Sequence, residues 1–169
     1  MIQRLERDFL VHFLAAVAYR TQKAIRGAPE PFWTFSAGNQ VRTPAEILRH
    51  MTSVLGYART FILGGEYPRA PEPLGDMAAE IERFHDFLED LGRLLRGGAT
   101  LNGITERQLL QGPFSDVMTH AGQLALLRRL HGSPVPPENF IYADISPDRL
   151  GSDQAPPLRP DKDWPEKPR

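Results

Sequence analysis

Two of the chain's five histidines, His50 and His120, and one carboxylate, Asp116, form its best candidate for chemistry. Asp116 and His120 are spaced i, i+4, which in a helix sets both side chains on one face, one turn apart. Both can then point at one ion. Alone, such a pair is more commonly a solvated hydrogen bond or weak ion pair. His50 flanks the apolar stripe of an earlier predicted helix, and it completes a two-histidine, one-carboxylate set if the two helices are neighbours. That set suits Zn²⁺, Ni²⁺, Fe²⁺ or Mn²⁺ and leaves positions open for water or substrate. Glu46 and His50 are also i, i+4, but capping is the better role for Glu46.

Four further residues are candidates for a pocket or for support of the ligands. Gln123 lies nearly on the face of His120, where it can orient a bound water or simply pack. Tyr57 can line a pocket near His50, and Trp33, with Phe35, can roof it; both are also ordinary core residues. His12, close to the expected apolar face of the first helix, is a support candidate, although a half-buried structural histidine is the commoner case. His85 is expected at the rim of a helix seam, and His131 as a cation at a helix C-terminus. Asp144, on the exit segment, is a candidate extra ligand. Ser115 has no arrangement around it that suggests an activated nucleophile.

These residues must be positioned by helices. Ile2, Leu5, Phe9, Phe13, Ala16 and Val17 recur at helical steps and predict a first helix from about Ile2 to Ile25, stopped by Gly27 and Pro29. Thr43-Pro44-Ala45-Glu46 is a capping-box sequence with proline where its missing N–H costs nothing. It opens a second helix whose stripe is Ile47, Met51, Val54, Leu55, Ala58 and Ile62, ended by Gly64-Gly65. Met77, Ile81, Phe84, Leu88, Leu91 and Leu95 form a heptad seam in a third helix, Asp76 to Arg96. A short turn is expected at Thr105 to Leu110. A fourth helix runs from near Pro113 to His131-Gly132, with Leu126 and Leu130 on a different side from Val117, Ala121 and Leu124. An apolar second face of that kind marks an interface. No segment alternates as a strand.

The totals fit one domain with one core. Hydrophobic residues make up 41% and charged residues 24% of the 169, and the formal net charge is −1. A balanced charge gives no concentrated basic surface, so nucleic-acid binding is not expected. With no cysteine, disulfides, thiolate ligands and a cysteine nucleophile are excluded, and any thiol must come from outside. No apolar run approaches the ~20 residues of a membrane span, and the charged N-terminus lacks a signal core; a cytoplasmic location is the expectation. Residues 146–169, rich in proline and charge, are expected to form an extended or partly disordered tail after a domain of residues 1–145.

Two stretches resemble the DinB superfamily of metal-binding helix bundles. Arg42-Thr-Pro-Ala-Glu-Ile-Leu-Arg-His50-Met resembles the capped second helix carrying that family's first histidine. Asp116-Val-Met-Thr-His120-Ala-Gly122-Gln123-Leu resembles its fourth-helix pattern of a histidine, three residues, and a histidine followed closely by Gly-Gln. Glu138 to Ile145 resembles the exit from that helix in some members. The resemblance covers most of residues 1–145 and implies an all-α, up-down-down-up four-helix bundle. It also implies His50, Asp116 and His120 as metal ligands, a likeness to thiol-dependent transferases or hydrolases, and an external low-molecular-weight thiol as co-substrate. Asp116 departs from the pattern, standing where the family has histidine. A carboxylate gives a harder, more anionic site, shifted toward Mn²⁺ or Fe²⁺; alternatively the metal is lost and Asp116 only hydrogen-bonds His120. The competing expectation is a non-catalytic, stress-related binding module with a degenerate or structural metal site, acting through dimerisation. A homodimer is compatible with both.

Overall fold

The computed structural model describes residues 2–165 and 167, and their regular structure is helical. The elements are α1 (Ile2–Ile25), α2 (Pro44–Leu63), α3 (Met77–Arg96), the single turn α4 (Glu106–Leu109) and α5 (Ser115–Leu130), with 3-10 turns at Glu30–Phe32 and Phe140–Tyr142. Among the described residues there is no strand, only an isolated antiparallel bridge between Glu138 and Pro160.

The start of α2 forms as its sequence dictates. Thr43 Oγ1 accepts from the Glu46 amide at 3.3 Å, and Glu46 Oε2 accepts from the Thr43 amide at 2.7 Å. This reciprocal cap satisfies two of the donors that a helix start leaves unpaired. A second capping box, Thr105 with Gln108, starts α4. Asp76 caps α3 by accepting from the Ala79 amide.

The four long helices share one core. α1 packs on α3 and α5, and α2 packs on the same two. Leu14, Leu48, Met51, Leu55, Phe84, Leu88, Phe114, Val117 and Leu124 are fully buried where they meet. Ion pairs join the elements at definite heights: Arg49 to Glu80 at 3.6 Å and Arg59 to Asp90 at 2.5 Å between α2 and α3, Arg7 to Glu106 at 3.0 Å between α1 and α4. Arg128 of α5 donates to the Ala24 carbonyl at the end of α1.

The face of α1 differs from the expected one. Leu5 and Phe9 are 56% and 66% exposed, while Val17 of the expected stripe is buried together with Leu10, Val11, Leu14 and Ala18. The Ile2 side chain, expected on the buried stripe, lies outside the described residues. Both sides of this helix are apolar, so periodicity alone offers two stripes, and packing chooses the one facing α3 and α5.

The start of α5 also differs. Pro113 lies inside a π turn, Leu110–Phe114, kinked at Gly112, and the regular helix begins at Ser115. Proline has no N–H for the α-helical ladder, and the wider turn accommodates that gap.

Residues 146–165 form no helix or strand but pack on the helices. Leu150 is 2% exposed. A Cβ on Gly92 would lie 2.2 Å from Leu150 Cδ1, so the bare glycine of α3 makes room for this leucine. Arg96 donates to the Pro147 carbonyl at 2.9 Å. Arg26 donates to the Gln154 carbonyl at 2.5 Å. The expected rim position of His85 is corrected here. It is 3% exposed: its Nδ1–H donates to the Leu150 carbonyl at 2.8 Å, and Gln22 Nε2 donates to its Nε2 at 3.1 Å. Burial holds the His85 pKa below the usual histidine range, consistent with this neutral, doubly bonded ring.

Candidate metal centre

α2 and α5 pack directly against each other, and this contact brings the trio together. On α2, Ile47, Met51 and Leu55 face the core, and His50 is half-buried at the edge of that stripe. On α5, Val117, Ala121 and Leu124 are buried, and His120, 7% exposed, lies beside them. Asp116 is in the first turn of α5, where the helix dipole favours an anion, and its side chain is 49% exposed.

One ligand atom from each of His50, Asp116 and His120 lies within 4.8 Å of the other two. His120 Nε2 is 3.5 Å from Asp116 Oδ1. The two imidazoles meet edge to face, centroids 4.8 Å apart at 85°. Ligand atoms on a tetrahedral ion with bonds near 2.1 Å stand roughly 3.4 Å apart. The aspartate–histidine edge therefore already has the required span, and the widest gap closes with a shift of about 1.4 Å, within reach of side-chain rotation.

The protonation pattern suits ligation. The His50 pKa is lowered, first by burial, then by the charges of Arg42 and His120, against a smaller opposing effect of Asp116. His50 is then neutral at neutral pH, with a lone pair to give. Gln123 Oε1 lies 2.7 Å from His120 Nδ1. This bond places the His120 proton on Nδ1 and turns the Nε2 lone pair toward His50 and Asp116, as outer partners of metal-binding histidines do. The donor set thus fits a divalent ion, and His50, Asp116 and His120 are the residues that could hold it.

The trio stands between two hollows. The first, about 560 Å³, is lined by Asp116, Tyr57, Val54, Thr119 and the π turn through Gln111, Gly112 and Pro113. The second, about 410 Å³, is lined by His50 together with Arg42, Arg49 and Arg69. Both are large enough for a small molecule.

The other candidates separate cleanly. Gln123 bonds the site, and Tyr57 lines the first hollow, 55% exposed. His12 is exposed on α1, its neighbours Val11 and Leu14 taking the core face. Trp33 is 6% exposed, packed on Phe32, and its carbonyl accepts from the Ala45 amide; it lines neither hollow. His131 caps the C-terminus of α5 between the rings of Phe32 and Phe35. Asp144 pairs with Arg149 at 2.6 Å, and Ser115 Oγ donates to the Leu110 carbonyl. The arginines of the second hollow were not candidates from the sequence: Arg42 and Arg49 are far from Arg69 along the chain, and only the Arg42 and Arg49 spacing could have hinted at them.

The chain matches no family model, no curated protein and no solved structure. Among the described residues, no helix is long and apolar enough to cross a membrane.

Proposed function

We propose that the protein is a divalent-metal-dependent enzyme of DinB-like type, acting on a small molecule by thiol-dependent S-transfer or hydrolysis. The observation that carries the reading is the convergence of His50, Asp116 and His120, with Gln123 setting the tautomer of His120, beside an open hollow that Asp116 helps to line.

An up-down-down-up four-helix bundle is the architecture that best accounts for the helix contacts. Arg49–Glu80 and Arg59–Asp90 advance together along α2 and α3, as parallel helices require. Gln22–His85 against the joint hollow of Arg7 with Leu95 runs the opposite way along α1 and α3. Val54 and Tyr57 share a hollow with Asp116 and Pro113, while His50 meets His120, so α2 and α5 also run oppositely.

A divalent ion held by His50, Asp116 and His120 would supply Lewis acidity and would bring the pKa of water or of a thiol toward neutrality. Zn²⁺, Ni²⁺, Fe²⁺ and Mn²⁺ all suit two imidazoles and a carboxylate. Because the chain has no cysteine, a thiol co-substrate would come from solution.

The experiment is metal content of untagged protein after reconstitution with Zn²⁺, Ni²⁺ and Mn²⁺. One equivalent is expected in the wild type and little in His50→Ala or His120→Ala; no retained metal in the wild type refutes the site. A thiol that perturbs the visible spectrum of the Co²⁺ form favours transferase chemistry.

A second reading has its own observation. Leu126 and Leu130 are 52% and 56% exposed on α5. An exposed apolar face of this kind suits a homodimer, and in a non-catalytic module the trio would be structural. Loaded protein that stays silent across the thiol panel would favour that module.

A further inference from the structure

We propose that the second hollow is an oxyanion subsite, so that the molecule acted on at the trio carries a carboxylate or phosphate. The proposal rests on the metal-enzyme reading for its chemistry, but the subsite stands on its own geometry.

Three guanidinium groups, Arg42, Arg49 and Arg69, line this hollow of about 410 Å³, and His50 forms part of the same wall. Arginine presents a planar fork that pairs with two oxygens of a carboxylate or phosphate at once. Arg49 already shares Glu80 at 3.6 Å. Arg42 and Arg69 have no carboxylate within ion-pair distance among the described residues. Two carboxylates also line the hollow, Glu46 and Glu72. Glu46 Oε2 is occupied by the amide and hydroxyl of Thr43, so the capping box keeps that charge at the helix start.

The hollow is built rather than incidental. Arg69 follows Pro68, whose carbonyl accepts from Ser53 Oγ at 2.9 Å. The ring of Tyr67 lies on Gly56 so closely that a Cβ there would meet it at 2.3 Å, and its other side meets Phe87 edge-on. Beyond Arg69, Pro71 is buried. The Glu72 carbonyl accepts from Arg83, and the Leu74 amide donates to the buried Glu80. The loop carrying the third arginine is thus fastened to α2 and α3 on both sides of it, so its backbone is already ordered before an anion arrives. A substrate whose anionic group sits here extends past His50 toward the trio.

The test uses full-length protein, first stripped of metal with chelator and then loaded with Co²⁺. Backbone amide NMR shifts follow titrations with 3-mercaptopropionate, inorganic phosphate and neutral 2-mercaptoethanol. In the metal-free protein, 3-mercaptopropionate or phosphate is expected to shift amides of residues 42–50 and 69–74, while 2-mercaptoethanol leaves them in place. In the Co²⁺ form, 3-mercaptopropionate is expected to bind about ten-fold or more tighter than 2-mercaptoethanol, the factor one charge-assisted forked contact supplies. Arg42→Ala with Arg69→Ala, both exposed positions, should abolish the shifts while unfolding as the wild type does. Arg107→Ala, removing a charge on a remote surface, should keep them. Absent shifts, shifts that survive the double variant, or shifts lost equally in Arg107→Ala would overturn the subsite. A missing Co²⁺ spectrum with anion shifts intact would instead sink the metal reading and leave the subsite standing. Shifts with 3-mercaptopropionate alone assign a carboxylate substrate; shifts with phosphate as well assign the wider oxyanion class.

Discussion

Replacing Gln123 with leucine separates a metal site from a surface ion pair. Gln123 is exposed and touches the trio only through its 2.7 Å bond to His120 Nδ1, so the substitution removes one interaction and no packing. Surface changes of this kind alter stability by less than about 0.5 kcal/mol. Losing the outer partner of a metal-binding histidine costs 10–100-fold in affinity, or about 1.4–2.7 kcal/mol. Tautomer choice alone accounts for only part of that, since a freed imidazole still has the proton on Nδ1 for a minor part of the time. The larger share comes from the ring, which is then free to turn its Nε2 away from Asp116. Competition with a chromophoric chelator measures the Zn²⁺ affinity of each form, and urea unfolding verifies the fold. Gln123→Glu supplies the complementary result: it keeps an acceptor at Nδ1 and should retain wild-type affinity or exceed it. A leucine variant that binds Zn²⁺ as tightly as the wild type would refute the assigned orientation of His120.

Three further outcomes follow from the packing. Leu150→Ala should lose about 2–5 kcal/mol in urea unfolding, the range for a buried leucine; a loss under 0.5 kcal/mol would mean the tail lies free. His85 has a folded pKa below its unfolded value near 6.5, so the unfolded chain takes up the proton more readily. Its contribution to stability is complete above about pH 6.5 and falls as pH drops through the lower folded pKa, with a slope of at most about 1.4 kcal/mol per pH unit. His85→Gln should flatten the pH dependence of the unfolding free energy between pH 7 and 5, and an unchanged slope would contradict a neutral buried ring. Gly56→Ala improves helix propensity by up to ~1 kcal/mol but drives a Cβ into the Tyr67 ring. Overpacking costs of about 1–3 kcal/mol outweigh the gain, so the variant should unfold at lower denaturant and bind anions more weakly as the Arg69 loop shifts.

Local signals made α2 and α3 legible. Thr43, Pro44 and Glu46 specify a helix start within four residues, and that start fixes the angular position of His50. The i, i+4 spacing of Asp116 and His120 is equally local. What could not be read depends on contacts between distant segments. Leu5, Phe9 and Phe13 offered as good a stripe as Leu10, Val11 and Leu14 until α3 and α5 were in place. His85 is buried by a carbonyl 65 positions away, and nothing near it in sequence announces that. The three arginines converge only because Tyr67 settles on a glycine of α2.

The notch that Gly92 leaves for Leu150 orders events in the making of the protein. Every long helix is complete by Leu130, yet the leucine that fills the notch and the carbonyl that satisfies His85 come twenty residues later. Until that stretch is in place, the helices hold an open slot and an imidazole whose Nδ1–H has no acceptor, with Gln22 alone reaching its other nitrogen. The last stretch of chain then serves as a closing clasp, and a nascent molecule waiting for it is the form most exposed to chaperones and proteases.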